Sequence, residues 1–308
     1  MAVNHQPLEL RAGQACLTLE PAYGGMINGL VLPTRAGARD VIAGIGRDEC
    51  AANPGFRGAV LFPFPNRLRD GRYRCEGRDY QFDLNEPALR NALHGFLYRA
   101  EAQVTEGPLV EGASSVSLVY AFDGSEPGYP FRARVQLDYV LYPEGELEVC
   151  MSVVNQGTHT IPVGMGWHPY FSLGVALDDC RLALPPARRT LVDERMLPTG
   201  QSEPDTRFVE GASLADVELD NCFVLDGQSG RVSARFDSER AGFGLELWQR
   251  AGNRGMNFMQ VYTSPDRKSL AVEPMSCGID AFNTGEGLVN LEPGQTFSGV
   301  FGVRAYGL

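Results

Sequence analysis

Histidine is the side chain whose ordinary pKa lies nearest neutrality, so acid–base chemistry is sought first among His residues and nearby carboxylates. The chain has four, His5, His94, His159 and His168. Any one His is more often a surface or satisfied structural residue than a functional one. Two of the four keep unusual company. His94 precedes Gly95, which permits close approach of backbone or ligand. His168 precedes Pro169, which holds its backbone extended. His5 lies near a terminus expected to fray. His159 sits in a polar stretch, 155–160, that reads as a turn.

Carboxylates and cations come next. Glu273 stands between Val272 and Pro274 at the end of an apolar run. On an edge strand it would face solvent. Facing inward it needs a partner or its pKa rises, and a general base working near neutrality exploits such a rise. Asp220 precedes a short apolar run, where it is either a turn residue or an acceptor for ligand hydroxyls. Arg67 and Arg69 flank a turn at Asp70-Gly71. They are either a solvated pair or planar donors to a hydroxyl or carboxylate. The chain lacks a P-loop, a dinucleotide fingerprint, a GxSxG elbow and an HExxH helix. Two His and a carboxylate could bind a metal in principle, but no two of these candidates share a short motif. The reading therefore includes neither metal nor cofactor.

Those residues must be carried by strands. From Phe131 to Leu141, Phe131, Ala133, Val135, Leu137, Tyr139 and Leu141 alternate with Arg132, Arg134, Gln136, Asp138 and Val140. Such a period of two is a long strand with one buried face. A turn follows at 143–146, and Leu147, Val149, Met151 and Val153 resume the alternation, which predicts an antiparallel hairpin. The same texture recurs at 115–122, 231–236, 244–248 and 297–306. The 36 Gly and 20 Pro are spread along the chain as turn residues rather than clustered. No window shows helical periodicity, and no linker or repeat marks a boundary. Residues 1–308 thus read as one large, mostly antiparallel β-sandwich.

Composition sets the class. Lys and Arg number 27 against 38 Asp and Glu, a net charge of −11, which argues against nucleic-acid binding. No stretch approaches the roughly 18 apolar residues of a membrane-spanning helix, and the N-terminus lacks a secretory pattern. Seven Cys without a CxxC pair fit reduced thiols in a cytoplasmic protein.

With these residues in place, the chain resembles the aldose 1-epimerase (galactose mutarotase) family. The matching motifs run in order: Asn66-Arg67, Gly71, Tyr73, Tyr80, Asn85, then Leu93-His94-Gly95. His168-Pro169-Tyr170-Phe171, Leu219-Asp220 with Phe223, and Glu273-Pro274 follow. Asp280 to Asn283 and the turn from Leu291 to Gly294 complete the series, which covers most of the chain. The resemblance implies a β-supersandwich with an open sugar-binding face and cofactor-free interconversion of the α and β anomers of an aldohexose. It implies Glu273 as general base, a protonated His168 as general acid and His94 as a second active-site His. Arg67, Asp220 and Asn66 fall at substrate-binding positions. Phe96 follows Leu-His-Gly where many members have Gly, and Glu273 is followed by Pro-Met-Ser rather than Thr-Gln; both bear on which sugar is preferred. Trp167, Tyr170 and Phe171 are candidates to pack under the sugar, with core packing the expected fate of Phe171.

Other readings stay open. A related branch acts on hexose 6-phosphates, which a local basic pocket would suit. A noncatalytic carbohydrate-binding sandwich would need no acid–base pair. A glycoside hydrolase or lyase would need two carboxylates about 5–9.5 Å apart across one bond.

Overall fold

The alternation expected over 131–142 is realised in the computed structural model, which describes residues 6–35 and 37–308. His5 lies outside the described residues. Along the strand Arg132–Tyr142, Ala133, Val135, Leu137 and Tyr139 are fully buried, while Arg134, Gln136 and Asp138 are only partly so. This strand pairs with Glu146–Asn155 from Ala133 opposite Asn155 to Tyr142 opposite Glu146, the predicted hairpin.

The hairpin lies within a nine-stranded sheet. Its order is Gln103–Glu106, Ser114–Asp123, Arg132–Tyr142, Glu146–Asn155, Thr296–Gly307, Phe243–Ala251, Gly230–Ser238, Arg181–Ala183 and Ala212–Ser213. Every neighbouring pair is antiparallel. A second sheet runs Pro198–Asp205, Ala187–Val192, Asp220–Val224, Phe258–Thr263, Leu270–Met275, Gly166–His168 and Ala59–Leu61, with Tyr170–Phe171 also on Leu270–Met275. Residues 8–40 add a four-stranded antiparallel sheet.

The two large sheets meet through their apolar faces. Trp167 of the second stacks on Phe301 of the first, with ring centroids 5.5 Å apart. Met259, Val261 and Val272 join them in a core that also takes in Leu137, Met151 and Val303. Burying each such side chain contributes roughly 1.5–3 kcal/mol, which is enough to fix which face of each strand turns inward. The opposite face of the second sheet is then left to carry polar groups.

The all-β reading holds, with one α-helix of four residues, Ala281–Thr284, among the described residues. The polar strand Pro198–Asp205 escapes sequence periodicity because it lies at the end of its sheet with most of its residues exposed.

Candidate active site

The face opposite the core is where the candidate residues collect. On Leu270–Met275, Val272 joins the core and Glu273 points the other way. Glu273 is 1% exposed, on a strand with neighbours on both sides, so the edge-strand alternative is ruled out. Gln260 stands directly opposite it on the adjoining strand. Next to Trp167, which faces the core, His168 faces the site. Asp220 and Tyr262 are a facing pair one strand further out. Period-two alternation thus gives Asp220, Gln260, Tyr262, Glu273 and His168 one common face.

His94 and Arg67 arrive from a different element. Arg67–Arg69 and Asn91–Leu93 form a two-stranded ribbon with Arg67 opposite Leu93. The strands end at Asn66 and His94, both with left-handed backbones, φ +61° and +63°. For residues other than Gly this conformation is strained, and such strain gathers where side-chain direction matters. Gly95 shares it at φ +63°, and a Cβ there would lie 2.1 Å from the Phe62 carbonyl oxygen. The close approach that Gly95 permits is therefore made by the backbone.

The central contact joins His168 Nε2 to Glu273 Oε1 at 3.3 Å. His168 Nδ1 and Glu273 Oε2 are buried and have no hydrogen-bond partner among the described residues. Burial removes both groups from water and disfavours their charged forms. It pushes the imidazole down to about 3, with nearby Arg57 adding to the effect. It holds the carboxyl well above its usual range, with Asp220 pushing the same way and Arg67 opposing. A close ion pair would favour the opposite arrangement, but here desolvation dominates. Both shifts favour the uncharged pair, a carboxylic acid beside a neutral imidazole.

His94 lies edge-on to His168, with centroids 5.2 Å apart. Burial, His168 and Arg67 keep it neutral by lowering its pKa. Its Nδ1 accepts the backbone N–H of Asn66 at 3.1 Å. The proton of the neutral ring is therefore on Nε2, which is left as a donor. Tyr170 stacks on His168 at 5.0 Å and 12°, and the Arg57 guanidinium lies over the Tyr170 ring at 4.3 Å.

Arg67 is not a solvated cation. Its Nε and Nη2 grip both oxygens of Glu86 at 2.9–3.2 Å, and Nη2 is 3.9 Å from Asp220. Asp220 accepts Gln260 Nε2 at 2.5 Å. Burial raises its carboxyl pKa, while Arg67 and Gln260 partly offset the rise. Asn66 lines the same cavity, but its amide donates to Gln260 and its oxygen accepts from the Arg67 backbone. All six predicted residues border one cavity of about 240 Å³, with Phe56 and Tyr170 among its walls. Trp167 and Phe171 are in the core; of the three aromatics only Tyr170 reaches the cavity. His159 is on the exposed turn expected of it and far from this pocket in its contacts.

Sequence reasoning missed Gln260, Tyr262, Glu86 and Arg57. The first two were within reach, since a strand pairing with that of Glu273 must present alternate residues beside it. Glu86 precedes Pro87 in a loop and Arg57 follows a polar turn, so neither carries a local signal. Among the described residues no three His, Cys, Asp or Glu side chains are grouped so that they could hold a metal ion. The seven thiols are unpaired, and burial raises those of Cys180 and Cys277 to about 12.

Comparison with known proteins places this arrangement in context. Residues 7–304 match the family model described as aldose 1-epimerase. The uncharacterized protein YihR of Escherichia coli (strain K12) is 33% identical over 259 residues, 80% of this chain and 79% of YihR. Galactose mutarotase of Homo sapiens is 30% identical over 249 residues, 74% of this chain and 70% of its own. Among solved structures, a GalM/aldose epimerase homologue from C. elegans superposes with a TM-score of 0.85 at 21% identity, covering 98% and 99% of the two chains. At that identity the likeness speaks for the fold alone.

Proposed function

This chain belongs to the aldose 1-epimerase family, and from that premise we propose that it interconverts the α and β anomers of an aldohexose through the Glu273–His168 pair. The observation that carries the reading is the buried 3.3 Å contact between these two groups, facing a neutral His94 whose Nε2 is a donor.

Anomer exchange needs one proton removed from the anomeric hydroxyl and one delivered to the ring oxygen. A pair holding a single proton meets both needs. Transfer across the contact converts the resting acid and imidazole into carboxylate and imidazolium. Glu273 then takes the O1 proton as the C1–O5 bond breaks, and His168 gives its proton to O5. The sugar becomes an open-chain aldehyde, and the pair returns to its neutral form, which burial favours. Rotation about C1–C2 presents the other face of the aldehyde. Closure reverses both transfers: O5–H returns its proton to His168 as O5 attacks C1, and Glu273 protonates O1. Each positioned transfer contributes on the order of 10²–10⁴-fold.

The remaining groups hold the sugar. His94 Nε2–H donates near the ring oxygen. Arg67 and Asp220 bind hydroxyls remote from C1, and Asn66 orients Gln260 and the turn beneath them. Asp220 is committed to Arg67 and Gln260, which supports a binding role over that of a second hydrolytic carboxylate. The unpaired thiols support a reducing, cytoplasmic setting.

Optical rotation of freshly dissolved α-D-glucose and α-D-galactose, with and without protein, tests the reading. Accelerated approach to the same final rotation is expected for at least one. Parallel runs with glucose and galactose 6-phosphates decide between neutral and phosphorylated hexoses. No acceleration with any of the four, or cleavage of oligosaccharides under the same conditions, would sink it.

A further inference from the structure

Arg67 lines the cavity, yet a free arginine side chain samples many rotamers, and a binding site needs one. The restraint comes from Glu86. Its carboxylate accepts Arg67 Nε at 3.0 and 3.2 Å and Nη2 at 2.9 Å, and both side chains are largely buried. This bidentate fork fixes the plane of the guanidinium. It leaves Nη1 with no hydrogen bond to the protein among the described residues and sets Nη2 beside Asp220.

The carboxylate is itself held in place. Asn91, fully buried, donates to Glu86 Oε2 at 2.8 Å and to the Arg195 carbonyl at 3.0 Å. The backbones of Glu86 and Asn91 exchange both hydrogen bonds, at 3.1 and 3.2 Å. Asn85, the residue before Glu86, is itself fastened to Leu93, its side chain accepting the Leu93 N–H at 2.6 Å and donating to the Leu93 carbonyl at 3.0 Å. The loop is thus pinned along Asn91–Leu93, the strand that pairs with Arg67–Arg69. A surface ion pair would have no need of these supports.

We infer that Glu86 is a positioning residue for the sugar site, holding Arg67 so that Nη1 meets a substrate hydroxyl while Nη2 faces Asp220. The inference rests on the anomer-exchange reading. Glu86 touches neither the sugar nor the Glu273–His168 pair, so its effect passes through Arg67 and falls mainly on substrate affinity.

A double-mutant cycle tests this, using initial polarimetric rates on the hexose that wild type accelerates most. Glu86→Gln replaces one acceptor oxygen by a donor and breaks the fork. It is expected to raise KM by about 10- to 100-fold with a smaller change in kcat. Glu86→Asp, which retains the charge, should recover part of the loss. In an Arg67→Gln background Glu86→Gln should change KM less than about twofold. Urea midpoints monitor the fold, and if Glu86→Gln does not fold, Glu86→Asp runs the same cycle. Equal losses in both backgrounds, or a loss confined to kcat, overturn the inference while the anomer-exchange reading stands. A wild type that accelerates none of the sugars overturns that reading and this inference with it.

Discussion

Replacing Glu273 by Gln separates chemistry from architecture. Burial holds the carboxyl pKa well above its usual range, so Gln reproduces the shape and charge of the form that burial favours. The amide can donate to His168 Nε2 across the 3.3 Å contact now made by the carboxyl group. Stability near pH 7 should therefore stay at or above that of wild type. What disappears is the ability to pass a proton. The loss expected for a positioned base is about 10²–10⁴-fold in kcat/KM, or about 2.7–5.4 kcal/mol at 1.36 kcal/mol per decade. The sign of the pH effect follows from the raised folded pKa. In wild type this group binds its proton more tightly folded than unfolded, so its contribution is full below the unfolded value of 4.5 and is lost as pH rises through the folded value. The variant has no such loss, and its stability relative to wild type should grow by up to about 1.4 kcal/mol per pH unit within that window. Polarimetric rates and urea midpoints at pH 5, 6 and 7 measure both effects. A folded Glu273→Gln that retains more than a third of wild-type activity would refute the base assignment.

Three further predictions follow from the same geometry. His168, lowered to about 3, is stabilising in its neutral form above the unfolded value of 6.5 and costs stability as pH falls toward 3; urea midpoints of His168→Gln should fall less steeply than wild type between pH 6.5 and 4, and parallel curves would contradict the neutral imidazole. Asp220→Asn should weaken Arg67 and hydroxyl binding, raising KM roughly 10-fold or more with kcat less affected; an effect on kcat alone would place Asp220 in the proton transfers. Gly95→Ala puts a Cβ 2.1 Å from the Phe62 carbonyl in a left-handed backbone and should cost about 2–4 kcal/mol by urea unfolding, whereas a neutral result would mean that the His94 turn is not held in this conformation.

Much of the fold was legible because alternation reports burial directly. The strand Arg132–Tyr142 and its partner Glu146–Asn155 could be drawn from residue types alone, to within a residue or so at each end. The polar strand Pro198–Asp205 could not, because an exposed end strand has no buried face to impose a period. The candidate site was legible where motifs were dense: His94, His168, Glu273, Arg67, Asp220 and Asn66 do share one cavity. Two kinds of information were out of reach. Glu86 meets Arg67 through a loop pinned by Asn85 and Asn91, a tertiary contact with no sequence period. The direction in which the His168 and Glu273 pKa values shift could not be read without knowing that both groups are buried, since the pairing of charges that the residue types suggest pulls the opposite way from desolvation.

The central claim is that this pair opens and closes a hexose ring without breaking any other bond. Magnetisation exchange between the α and β anomeric protons of a hexose at equilibrium in D₂O tests it most directly, because no net reaction is needed. The account predicts protein-dependent exchange between the two anomeric signals, abolished in Glu273→Gln, with no deuterium entering C1 or C2. Exchange that persists in the folded variant, deuterium at C2, or no exchange with any hexose that binds would contradict it.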